Sequence, residues 1–200
     1  MIDQKTFEQL LPLAVQWTKT QEEFVLKHGN PLSARHLADA KLAGVQHPAR
    51  IRVLAVDRIP LPEDSRLAEA SKRIGIITEG TRCMGFGYAL IIRVDAWNDR
   101  ELILHNLVHI AQSERAGSLE QWVREYLADR TNCPKFTIGS LEEEARRFAR
   151  EVCTAFVTAQ PNGKGKGFGP NNNPARVTPK PTPPGHHFGW QKGKHNPHRM

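Results

Sequence analysis

Two hundred residues with 28 Lys and Arg against 21 Asp and Glu suit one globular domain plus an appendage. Seven of the basic residues and none of the acidic ones lie from Pro161 onward. The first 160 residues therefore carry 21 of each sign, and the formal charge of +7 belongs to the C-terminal end. Three widely spaced cysteines (Cys83, Cys133, Cys153) argue against a disulfide framework. No apolar run approaches the roughly 20 residues that cross a bilayer, and the opening Met-Ile-Asp-Gln-Lys lacks a signal-peptide pattern. A reduced, cytoplasmic protein that does not enter membranes is expected.

Phe7, Leu10, Leu11, Leu13, Ala14, Trp17, Phe24 and Val25 recur at helical spacing and predict a helix over residues 4–28. Gly29-Asn30-Pro31 breaks it, and a second helix is expected from Ser33 to about Ala43, before Gly44. Within Arg50–Ile59, Ile51, Val53 and Ala55 alternate with Leu54 and Val56, the pattern of a short buried strand. Pro60-Leu61-Pro62 closes it, and Glu63–Arg73 suits a short helix.

Gly75–Ile77 and Cys83–Val94 look like strand material, the second with Phe86, Tyr88, Leu90, Ile92 and Val94 in alternation. Three helices follow with capping-box starts: Asn98 with Glu101, Ser118 with Gln121, and Ser140 with Glu143. Gly117 ends the first of them. Leu141, Ala145, Phe148, Val152 and Phe156 mark the core face of the third. From residue 161 the chain holds eight Pro, seven Gly and five Asn with few aliphatic side chains, a composition that cannot offset its ordering entropy. Residues 1–159 are therefore expected to fold and residues 160–200 to form a disordered basic tail. The tail's aromatics and cations around His186-His187-Phe188-Gly189-Trp190 suit nucleic acid or an acidic partner.

The chemistry concentrates at His105-Asn106-Leu107-Val108-His109. Histidines at i and i+4 share a helix face about 5–6 Å apart at Cβ, so both imidazoles reach one metal ion. The spacing alone is a weak signal, since histidines fall four apart by chance. Its surroundings strengthen it: Leu102, Ile103, Leu104, Leu107, Val108 and Ile110 bury the pair, where an unpartnered imidazole costs free energy. A strand precedes the helix and a helix with Glu142, Glu143 and Glu144 follows.

The run Leu102–Gly117, reading L-I-L-H-N-L-V-H-I-A-Q-S-E-R-A-G, resembles a family of small bacterial zinc metallopeptidases that read H-E-L-V-H-V-A-Q-Y-E-R-x-G here. Val56–Asp64, Gln121–Leu127 and Leu141–Arg146 are similar to the same family, and the resemblance spans about residues 30–155. It implies an α+β fold of minimal zincin type: a small sheet, an active-site helix and a ligand-bearing helix. It also implies Zn2+ as cofactor, with His105, His109 and a glutamate of the 142–144 cluster as ligands. The E-x-x-A pattern of related gluzincins favours Glu142, followed by Ala145. On a helical wheel Glu142 and Glu144 flank the apolar stripe equally, so Glu144 stays open, while Glu143 falls at a capping position.

Asn106 stands where the family has its general-base glutamate. An amide can orient a water but cannot take its proton near neutral pH. Glu101, one turn before His105, is either a partner orienting that imidazole or a cap for its helix. The expected function is a zinc-binding metallopeptidase homologue with impaired catalysis. The alternative is a non-enzymatic binding protein, its groove gripping a peptide or protein and its tail a polyanion. The alternating strand with Tyr88 would pair an extended ligand.

Overall fold

A computed structural model of the chain describes residues 3–133 and 138–158, with the side chains of residues 156–158 left undescribed. Residue 159, the tail from residue 160 and the side chain of Phe156 thus lie outside the described residues. What is described is α+β: six α-helices and a four-stranded mixed sheet.

Helix α1, Gln4–His28, is capped by Asp3, which accepts from the Thr6 amide. Its apolar stripe buries Leu11, Ala14, Val15 and Val25, while Phe24 stays exposed. Strand β1, Asn30–Pro31, pairs antiparallel with β2, Arg52–Val56. Between them lies α2, Ala34–Leu42, capped by Ser33. Helix α3, Ser65–Arg73, starts at Asp64, which accepts from the Arg66 and Leu67 amides.

Gly75–Ile77 does not form the expected strand. These residues close α3 instead: Gly75 adopts φ 73° and the Ile76 amide donates to the Ser71 carbonyl at 2.9 Å. Cys83–Val94 is likewise not one strand but a hairpin, β3 at Cys83–Phe86 and β4 at Ala89–Arg93. Gly87 at φ 52° makes the turn, and the Glu22 carboxylate accepts from the Tyr88 amide at 2.8 Å. The alternation from Phe86 to Leu90 therefore does not mark one face.

Strand order is β1-β2-β4-β3, with β2 and β4 parallel. One face of the sheet packs Val53, Leu90, Ile92 and Cys83 against Ile103, Leu107 and Ile110. The other packs Leu54, Val56, Ala89, Ile91 and Phe86 against Leu11, Val25, Leu67 and Trp122. The inner strand residues thus bury their side chains against helices on one face or the other, and the core has two halves separated by the sheet.

Two of the last three helices, α4 and α6, differ from expectation at their starts. Helix α4, Arg100–Arg115, is capped by Asp99 rather than Asn98: its carboxylate accepts from the Leu102 amide at 3.0 Å. Helix α5, Leu119–Asn132, starts as expected at Ser118, after Gly117 at φ 81°. Helix α6, Ser140–Thr158, is capped from another helix. The Asp129 carboxylate of α5 accepts from the Ser140 and Leu141 amides and the Ser140 hydroxyl, a stronger acceptor than the expected serine.

Candidate metal centre

Helical spacing puts His105 and His109 on one face of α4, and their Nε2 atoms lie 3.0 Å apart. Helix α6 lies close against that face because Ala145 and Ala149, fully buried, present almost no side chain to α4. The close approach brings Glu142, one turn before Ala145, onto the imidazoles. Its Oε2 is 3.4 Å from His105 Nε2 and its Oε1 is 3.3 Å from His109 Nε2. One donor atom from each of the three residues lies within 4.8 Å of the others, a spacing one metal ion can bridge.

The two glutamates that the sequence leaves open are separated here. Glu142 faces the histidines, whereas Glu144 faces Arg115, with Arg115 Nη2 at 2.7 and 2.8 Å from its two oxygens. Glu143 is exposed on the outer side of α6. Glu101 does not orient His105: it is exposed near Arg150, with 3.8 Å between charged atoms. No cysteine joins the cluster.

Partners surround the cluster on its buried side. His109 Nδ1 lies 2.8 Å from Gln112 Oε1. The Tyr126 hydroxyl donates to Glu142 Oε1, and the Tyr126 ring stacks on Trp122 with centroids 5.1 Å apart. Burial alone would raise the Glu142 carboxyl. Hydrogen bonds from His105, from His109 when its ring carries both protons, and from Tyr126 outweigh it and hold the group well below the usual carboxylate range. For Tyr126 burial dominates and the neighbouring Glu142 charge adds to it, so the phenol is pushed well above its ordinary value and stays a donor. The partner roles of Gln112 and Tyr126 were not read from the sequence. A glutamine three residues after a buried histidine is the signal that could have found the first.

Asn106 is buried at 4% exposure, and its Nδ2 donates to the Leu102 carbonyl at 2.8 Å. The amide oxygen and the second N–H of Nδ2 are not used by that bond. Beside it opens a cavity of about 360 Å3 with apolar walls that include Leu11, Trp17, Leu67, Ile77, Phe86 and Trp122. That volume lies in the range of small-ligand sites. His105, Asn106, His109 and Glu142 stand on its wall, and Glu142 is the only carboxylate there among the described residues.

The cavity borders the outer strand of the sheet. The Arg93 amide donates to the Arg82 carbonyl, so the hydrogen-bonded pairs continue at Met84–Ile91 and Phe86–Ala89. Cys83 and Gly85 therefore turn their backbone groups away from β4, toward the open edge. Tyr88 is not on that edge: it sits in the hairpin turn with the Arg50 guanidinium 3.9 Å from its ring centroid. No described helix is long and apolar enough to cross a membrane.

No protein-family model, curated protein or solved structure matches the chain.

Proposed function

We propose that this chain is a zinc-binding metallopeptidase homologue whose hydrolytic step is impaired at Asn106. The observation that carries the proposal is the convergence of His105 Nε2, His109 Nε2 and a Glu142 oxygen on one point of a cavity wall. Two imidazoles and one carboxylate suit zinc, and three protein ligands are the number that leaves a position open for chemistry. When bound there, zinc would supply Lewis acidity and a water with its pKa lowered toward about 7.

The chain's own residues define the rest. His105, His109 and Glu142 hold the metal. The open edge of β3 offers Cys83 and Gly85 backbone groups to an extended peptide, and the apolar cavity accepts a large apolar side chain from it. Asn106, its amide nitrogen engaged by Leu102, can offer its oxygen to orient a water but cannot accept the proton. General-base catalysis typically contributes 10²–10⁴-fold, and no other carboxylate on the described wall replaces it. The free cysteines fit a reducing, cytoplasmic setting.

That same lack of a base supports a second reading, a protein that retains groove and metal to grip a peptide without cutting it. The Asn106→Glu variant with zinc bound decides between them. Peptide hydrolysis in the variant supports the impaired peptidase, and its absence across a broad peptide library supports the binding protein.

A further inference from the structure

Glu144 is not a spare ligand but part of a chain of contacts that ends on one. The Gln112 amide nitrogen lies 2.9 Å from the Leu141 carbonyl oxygen and 2.9 Å from Glu144 Oε2. Both are pure acceptors, so the amide must donate to both, which fixes its orientation and turns Oε1 toward His109. Oε1 is itself only an acceptor and sits 2.8 Å from His109 Nδ1. The His109 proton must then reside on Nδ1. In the neutral ring that leaves the Nε2 lone pair aimed at His105 and Glu142, the direction a metal would occupy. Arg115 completes the relay by holding both oxygens of Glu144.

We infer that Gln112 is the positioning residue of the metal centre, setting the tautomer and ring orientation of His109, and that Glu144 and Arg115 act through it. The inference rests on the metal reading of the site and adds which residues outside the ligand set tune its affinity. Only His109 is held in this way: it is the more buried histidine, with 6% side-chain exposure against 22% for His105. His109 is therefore the fixed member of the pair and His105 the one that moves to close on the ion. Partners of ligand histidines typically contribute 10–100-fold to metal affinity.

The test uses full-length protein labelled with nitrogen-15 at histidine. In the metal-free chain at pH 8.5, the His109 shifts should show a proton on Nδ1, and Gln112→Met should spread it over both nitrogens. Zinc affinity, measured by competition with a chromogenic chelator, should fall 10–100-fold in Gln112→Met. Glu144→Gln alone keeps an acceptor for Gln112 and should change affinity little. A wild-type His109 protonated at Nε2, or zinc affinity unchanged within threefold in Gln112→Met, overturns the inference. Absence of zinc binding in the wild type overturns the metal reading instead, and the metal-free tautomer still decides the role of Gln112.

Discussion

Gly85 of β3 lies so close to Asn106 of α4 that a β-carbon on it would fall 3.0 Å from the Asn106 carbonyl carbon, with the carbonyl oxygen closer still. The contact is backbone against strand, so no side chain can rotate away. The outer strand and the helix carrying both histidines are thus held in contact because residue 85 has no side chain. Gly85→Ala should force them apart at a cost of about 1–3 kcal/mol, the usual range for overpacking. Chemical denaturation checks this, and an unchanged midpoint would mean the strand is free to shift.

A second structural lock lies on the other side of α4. Asp39 of α2 is 1% exposed, and Arg100 binds both of its oxygens, at 2.6 and 3.2 Å. Arg100→Ala leaves the buried carboxylate without its main countercharge and should lower unfolding free energy by about 3–5 kcal/mol. Combining Arg100→Gln with Asp39→Asn should recover part of that, since two neutral amides can pair. Equal losses in the single and double variants would show that the charge pair is not the source.

Much of this was legible in the sequence, and the misses share a cause. Helix α1, the Ser118 start of α5 and the His105–His109 pair were readable because each depends on residues within a turn of one another. The hairpin at Gly87 was hidden because a two-residue turn leaves the uncharged run unbroken from Cys83 to Ile92. The α6 cap was hidden because its acceptor, Asp129, lies on another helix. Choosing Glu142 over Glu144 needed the packing of Ala145 against α4, which a helical wheel does not contain. Gln112 and Tyr126 meet their partners across helices and could not be assigned from spacing.

The tail's role is a separate proposal with its own check. All of the excess positive charge lies from Pro161 onward, so binding to single-stranded nucleic acid should weaken steeply with salt. It should disappear when residues 161–200 are removed. Equal binding by the shortened chain would place the site on the neutral body.

Asn106→Glu should keep zinc affinity, because residue 106 is not among the converging donors. Against peptides with large apolar side chains it should gain roughly 10²-fold or more in hydrolysis rate, the typical share of a general base. Chelator-sensitive hydrolysis of similar size in the native chain would mean another group already supplies the base.

The centre itself is tested most directly by counting zinc in the untagged full-length chain and in His109→Ala, after expression with added zinc and dialysis against a weak chelator. The tail carries four histidines that can hold metal loosely, so the difference between the two proteins is the informative quantity. A centre built from His105, His109 and Glu142 predicts that His109→Ala loses one zinc ion per chain and that Glu142→Gln loses far more metal than Glu144→Gln. Equal zinc in the native and His109→Ala proteins would contradict it.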